Sequence, residues 1–487
     1  MAFPPGRFLV AFGADTLVWD PVTPWTALDQ AHPNLVTSYQ IDRGRQYELD
    51  RTDTGRATVE IADPDGILDP TNTDGPFFGQ IQPLKQAVIQ RYNPVADEWD
   101  IRFRGFIEEL DYALDPSQRV YRLTVSLVDI FEILAAIQMY PYDPASPGTG
   151  GFGDDPTDAD PILYSGFAED VAGQVWYGPV DSVTDPAHPN PYGGEPMDDR
   201  INRILTQAGI PLWDPSTGGF AVIFSGNVVV QQASYSPGES PMSAIQEAAD
   251  AEFSGVSNVF TDRFGRLAVH GRLAKFDPAG VLAGALPGAW DYHAWKAGDG
   301  GYVASSPATY AHIRDFAFNR GLAKIINHAI ATPKGIQDED VPAQLVIDTT
   351  SIGNYGYRSW SAQNLLTKTG LIGPVDHLAE TKRVATWYVS NFSQPQNRIT
   401  AISFRSIRPG EPGASENWRL LGKVDIGDTV EVYVTSPAGG FDGVDYFVEG
   451  VHESCQPANP TYDDATVSLD LSPRAYFTGE NPWEEEP

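Results

Sequence analysis

Short runs in which apolar and polar residues alternate dominate the chain, the period-two signature of half-buried β-strands. Early on, this pattern predicts strands at Tyr47–Leu49 and Arg56–Ile61. Ala57, Val59 and Ile61 alternate there with polar neighbours, behind a hairpin loop at Asp50–Gly55. Turn residues fill Asp63–Pro70. Strands follow at Gln86–Tyr92, Trp99–Phe103, Ile107–Tyr112 and Val120–Leu127, separated by turns at Asn93–Asp97 and Asp115–Gln118. Such a series predicts a compact antiparallel barrel or sandwich. The period then lengthens. Leu127, Phe131 and Leu134, with Ile130 and Ile137 alongside, predict a helix. Tyr140–Pro161 is rich in Pro, Gly and Asp and reads as a linker.

The middle of the chain mixes periods. Asp198–Gln207 predicts a helix with Ile201, Ile204 and Leu205 on one face and Gly209 as its stop. A second helix starts at Ser240-Pro241, with Ser as cap, Pro at the first helical position, and Met242, Ile245, Ala249 and Phe253 on the buried face. Val259–Thr261 and Arg266–Val269 predict a hairpin, and Asp277–Pro307 reads as a loop. Strands then return, broken by a helix after Pro374 that carries Val375, Leu378, Ala385, Val389 and Phe392 on one face. The last strands are expected at Arg398–Ser406, Thr429–Val434, Tyr446–His452 and Ala465–Leu471.

Two stretches look alike. Phe103–Glu109, a turn and Leu123–Leu127 resemble Phe447–Glu453, a turn and Ala465–Leu469, each after a strand–loop–strand. The likeness predicts a duplicated β-unit; two unrelated meanders would share the same coarse pattern.

Length and charge narrow the class. The 487 residues suggest about three domains. Acids outnumber Lys and Arg by 65 to 32, a formal charge of −33, which disfavours nucleic acid and anionic membranes as partners. That acidity either coats a solvated surface or lines a conduit through which DNA slides without sticking. One cysteine, Cys455, excludes an internal disulfide and a multi-thiolate zinc site. The N-terminal residues lack the pattern of a signal peptide, and no stretch approaches the ~20 apolar residues of a membrane span.

Chemistry-bearing motifs are sparse. The eight histidines are scattered, and His377 with Glu380 on a predicted helix reads as a solvated pair. No nucleophile elbow or phosphate-binding loop occurs. The lone thiol of Cys455 lacks a positioned base. Glu108 with Glu109, or Asp198 with Asp199, offer carboxylate pairs of the kind used in glycan cleavage, which also needs a cleft. Asp63-x-Asp65-Gly66 matches part of a calcium loop, but the full pattern is absent and a turn is expected. Arg43, Arg45 and Arg51 alternate with acids and read as a candidate interface. Trp290, Tyr292, Trp295 and Tyr302 fall in the expected loop, as candidates for sugar or partner contact or as packing groups. No catalytic, metal or cofactor residue is assigned.

Several strings, in order, carry a resemblance. Asp42–Arg51, Thr54–Ile61 and Asp69–Asn72 resemble the opening of minor tail proteins from phages of actinobacteria. Ser240–Glu252 with Phe260–Arg266 resembles the middle of phage tail hub proteins, and Asp348–Arg358 with Val424–Val430 their last domain. The resemblance implies a mainly β fold in which two tube-like antiparallel β-barrel domains flank an inserted α+β domain. The matching division is 1–150, 151–307 and 308–478, with an acidic tail at 479–487. It implies a homotrimer whose six barrels continue the tail tube at the distal end of the virion. Its partners there would be the distal tail protein, other tail-tip proteins and the tape measure protein, with the host cell surface a further candidate. DNA would pass through without specific binding. It implies no catalysis, no cofactor and no membrane anchor, and the short C-terminal stretch leaves no room for a lytic module. A receptor- or wall-binding tail protein and a tail-associated wall hydrolase are the competing readings.

Overall fold

Alternation along the first part of the chain is realised as long strands in a computed structural model. It describes residues 7–10, 26–27, 36–115, 120–138, 175–177, 195–214, 218–226, 229–230, 233–235, 238–253, 255–282, 290–321, 324–333, 343–365, 367–368, 375–396, 398–435, 440–459 and 462–477. Six strands build the first half: β1 (Arg7–Val10), β2 (Val36–Gly44), β3 (Asp53–Asp63), β4 (Gln86–Asn93), β5 (Glu98–Asp115) and β6 (Val120–Val128). They pair antiparallel in the order β1-β4-β5-β6-β3-β2. Their inward residues, among them Phe8, Tyr39, Ile41, Val59, Ile89, Phe103 and Val125, share one core. The expected strand Tyr47–Leu49 is a turn. The partner of β3 is instead β2, where a charged Arg43 at an inward position interrupts the apolar alternation.

Helix α1 (Ile130–Ala136) follows, and Leu127 belongs to β6 rather than to it. The Asp129 carboxylate caps α1 by accepting the Phe131 N–H and also accepts the Gly55 N–H at 2.7 Å. The expected linker 140–161 lies outside the described residues. In the middle region, α2 (Met197–Gln207), α3 (Pro241–Phe253) and the hairpin β8 (Asn258–Thr261) and β9 (Leu267–His270) form as the pattern predicts, and β7 (Ala221–Ile223), which the pattern does not predict, pairs parallel with β9. Ile201, Ile204, Leu205, Met242, Ile245 and Ala249 join one core with α1, and Ser240 Oγ accepts the Ser243 N–H. Phe253 packs elsewhere, against Trp387 and Tyr388.

Inside the expected loop Asp277–Pro307 the structure places β10 (Ala294–Gly298) and helical turns at Pro278–Leu282 and Gly300–Ser305. The strand escaped notice because glycine and alanine surround its buried residues. Then come β11 (Ala311–Asn319), β12 (His328–Pro333), β13 (Gln344–Ile347), β14 (Ser359–Leu365), α4 (Val375–Phe392), β15 (Arg398–Arg405), α5 (Ala414–Lys423), β16 (Thr429–Val434), β17 (Phe441–Asn459) and β18 (Tyr462–Pro473). Ala385, Val389 and Phe392 of α4 are buried against the β12–β14 sheet, while the side chains of Val375, His377, Leu378 and Glu380 lie outside the described residues. Six strands close into a barrel, β10-β16-β17-β18-β15-β11 and back to β10. The barrel is not wholly antiparallel, because β10 runs parallel to both neighbours. Among the described residues no helix is long and apolar enough to cross a membrane.

The order of pairing is the same in both halves, with β2–β6 corresponding to β11, β15, β16, β17 and β18, while β1 holds the place of β10 but runs in the opposite direction. Details agree. Ile107 exchanges backbone hydrogen bonds with Lys85 and Leu84, as Val448 does with Asp428 and Gly427. A bulge follows at once in each, between Ile107 and Glu109 and between Val448 and Gly450. The duplicated unit expected from the sequence is therefore present as connectivity, but in another register. Leu123 faces Tyr112 and Val467 faces Glu453, so Leu123 corresponds to Val467, not Ala465. A two-residue slip leaves the alternation intact, which is why the matching Thr-Val-Ser strings misled.

The halves join edge to edge. Gly450–Cys455 of β17, beyond the reach of β16, pair antiparallel with Tyr39–Gly44 of β2. With the two-residue strand Thr26–Ala27, which pairs with β1, one sheet of 13 strands results.

Candidate functional site

The seam between β2 and β17 is the most elaborate polar feature of the described residues, and it gathers charged side chains that strand alternation turns inward. Glu453, buried, lies between Val451 and Cys455 on β17. Its carboxylate accepts from Arg91 at 2.5 Å, Arg102 at 2.7 Å and the Tyr39 hydroxyl at 2.7 Å, all three from the first half. Burial opposes its ionisation, but Arg102 and Arg91 outweigh burial and hold it below the usual carboxylate range.

Glu449 forms a second knot. It accepts from Arg45 Nε at 2.9 Å, from the Ser472 hydroxyl at 2.5 Å and from Lys275 of the middle region. Burial again works against the charge, yet Arg45 and Lys275 bring the carboxyl down to about 2. Burial lowers Lys275 to about 8 against the pull of Glu449. Arg43 donates to Asp425 at 2.7 Å and to the Thr261 carbonyl at 3.0 Å, tying β2, β8 and the turn before β16 together. The Arg263 backbone N–H donates to the same Asp425 at 2.7 Å. Arg398 donates to Glu48 at 2.6 Å.

The candidate interface residues are thus placed inside this chain. Arg43 and Arg45 are buried and consumed by internal pairs, so they are not available to another molecule. Only Arg51 is exposed, paired with Asp250 at 2.6 Å. The carboxylates these three arginines pair with belong to the chain itself. Arg45, Arg51 and Asp250 also line a cleft of about 380 Å³ between the 45–52 turn, α3 and Trp360.

The four aromatic candidates do not form one exposed loop. Trp295, on β10, is 2% exposed, packs in the barrel core and donates Nε1–H to Asp428 at 2.9 Å, which corrects its reading as a sugar platform. Burial pushes that Asp428 carboxyl up to about 8. Trp290 is half-buried between Phe224, Phe260 and His270, and Tyr292 bonds Thr429 Oγ1 at 2.8 Å. Tyr302 belongs to a surface cluster with Tyr310 and Tyr433, ring centroids 5.0–5.8 Å apart, and donates to Asp442 at 3.2 Å.

Other candidates resolve plainly. Asp63 accepts the N–H groups of Ile67 and Leu68 and the Tyr112 hydroxyl, which makes its motif a turn. Cys455 is buried in the seam. Glu108 pairs with Arg56, and Asp198 accepts the Gly226 N–H. Sequence reading missed Arg91, Arg102, Lys275, Asp425, Glu449 and Glu453. A charged residue at the inward phase of an apolar alternation, as at Glu453, was the available signal.

No protein-family model matches the chain, and no curated protein matches it. Solved structures do resemble it. A tail protein from Neisseria meningitidis MC58 aligns with 97% of this chain and 98% of its own at 10% identity and TM-score 0.49. The prophage tail protein gp18 from Listeria monocytogenes aligns with 95% and 94% at 8% identity and TM-score 0.43. The 43 kDa tail protein of prophage MuSo2 from Shewanella oneidensis aligns with 97% of this chain and 99% of its own, at 10% identity and TM-score 0.50, and so shares its fold.

Proposed function

We propose that the chain is a structural hub of a phage tail tip: a ring component that continues the tail tube, joins it to distal proteins and lets DNA pass. The carrying observation is that two halves of identical strand order join edge to edge in one sheet. The fold shared with the prophage tail protein agrees with it. We read the halves as two tube-like units around an inserted α+β region, the second taken from Ala294 rather than from residue 308 so that it includes β10. Three copies would then present six such units and meet a six-fold tube without a change of subunit. The distal tail, tail-tip and tape measure proteins are the neighbours such a ring would touch. Actinobacterial phages remain the proposed origin on sequence motifs alone. No catalysis is assigned.

The test is gold labelling of phage particles with an antibody to this chain, viewed by electron microscopy. Label at the distal end of the tail is expected. A chain absent from denatured virions would refute the reading.

One observation favours a second reading, receptor or wall-glycan binding. Tyr302, Tyr310 and Tyr433 cluster at the surface beside Asp442 and Glu431, a stacking face flanked by acceptors. Loss of host-cell binding in Tyr302→Ala, with the fold intact, would favour it; unchanged binding would retire it.

A further inference from the structure

The seam inside the chain uses one edge from each half and, among the described residues, leaves the matching edges unused. In the first half β2 offers its edge; in the second half the corresponding strand is β11. Tyr39 faces Val59 as Phe316 faces Ile402, and Gln40 faces Thr58 as Ala317 faces Ala401. Beyond His312, no described strand pairs with the second edge of β11. Its aromatic residues show the consequence. Tyr39 is 1% exposed under the seam, whereas Phe316 and Phe318 are 46% and 54% exposed. Exposed apolar side chains on an open strand edge are unusual in a chain that acts alone.

Among the described residues the complementary edge is equally free. On β17 the seam occupies Gly450–Cys455. The corresponding residues of β5 are Glu109–Leu114, since Ile107 matches Val448 and the bulges coincide. These residues pair with β6 on one side, while β4 ends at Phe106–Ile107 on the other. Leu110, Tyr112 and Leu114 share one face there, with Leu114 50% exposed. Leu110 and Tyr112 line an apolar cavity of about 190 Å³ with Phe77 and Ile81.

From this geometry we infer that a second copy of the chain supplies the missing partner: β11 of one copy pairs antiparallel with the outer half of β5 of the next, repeating the internal seam between molecules. The register follows from the seam, where Tyr39 faces Cys455 and Gln40 faces Ser454. Phe316 should face Leu114, and Ala317 should face Ala113. The contact is heterologous, one edge against a different edge, so it propagates head to tail and closes only as a ring. The inference rests on the ring reading above and adds to it which strands meet and in what register.

Two variants test it. Ala113→Cys and Ala317→Cys each place a thiol at an exposed position. Directly opposed residues bring Cβ atoms close enough for a disulfide. The purified, reduced full-length variants are oxidised each alone and as a mixture. A reducible dimer formed only in the mixture is expected, and it should be lost when Phe316→Asp is added to the Ala317→Cys chain. A link formed by either variant alone would show like edges meeting and overturn the inference. So would absence of any link in the mixture. Neither negative result touches the tail location, which gold labelling decides separately.

Discussion

Replacing Glu453 by Gln should be among the most damaging single changes available in the described residues. The substitution keeps the shape and one acceptor oxygen but removes the charge. It leaves Arg91 and Arg102, both buried, without the carboxylate they contact at 2.5 and 2.7 Å. Breaking a buried ion pair from one side costs about 3–5 kcal/mol, because the surviving charge stays desolvated. Two guanidiniums are stranded here, though Arg102 keeps its bond to the Gly422 carbonyl. The cost should therefore sit in that range rather than double it. Urea unfolding followed by tryptophan fluorescence should read it well, since Trp418 lies beside Arg91. A companion variant separates charge loss from packing loss. Arg91→Met and Arg102→Leu combined with Glu453→Leu remove every charge of the cluster, and such replacements are often neutral or stabilising. A Glu453→Gln protein within about 1 kcal/mol of the parent would refute the assignment of a stranded-charge penalty. The pH dependence adds a check. Glu453 is held below its ordinary range, so its contribution is present above the unfolded carboxyl pKa and is lost as pH falls through the folded value. Glu453→Gln should flatten that acid limb.

His452 bridges Asp42 at 2.9 Å and Asp470 at 2.8 Å, and these hydrogen bonds raise it to about 9. Its stabilisation should be complete below about pH 6.5 and vanish as pH rises through 9, by about 1 kcal/mol given its partial exposure; an NMR titration giving a pKa near 6.5 would contradict this. Gly44 has φ +97°, and a Cβ there would lie 2.3 Å from the Glu449 carbonyl oxygen, so Gly44→Ala should cost about 2–4 kcal/mol in denaturant midpoint analysis. Arg45→Ala should cost about 3 kcal/mol or more by the same assay, and Arg51→Ala about 1 kcal/mol or less, because only the first empties a buried pair.

Much of the architecture was legible because strand and helix periods are local. α2, α3 and the β8–β9 hairpin fell where Ile201, Ile245 and Val259 indicated. The strands β2 and β10 were missed for opposite reasons: β2 carries an inward Arg43, and β10 is short and runs beside glycines and alanines. The ion-pair network was invisible because its members are hundreds of residues apart. Arg91 and Glu453 meet only once both halves have folded, and no periodicity encodes a partner at that separation.

Where the acidity resides follows from the same network. Among the described residues ten Lys and Arg side chains are buried, and so are ten Asp and Glu. The buried interior is formally balanced. The whole excess of −33 therefore lies on residues outside that buried set. A chain acidic throughout would have to bury unpaired carboxylates at a cost of several kcal/mol each. Here the arginines are drawn inward to tie three regions together, and the residues left outside the buried set are more acidic than the composition alone suggests. That separation is what a DNA conduit or a self-repelling soluble surface would both require. The two differ in geometry: a conduit would place carboxylates around the lumen of the proposed ring, and a cryo-electron microscopy map of such a ring with a neutral or basic lumen would exclude it.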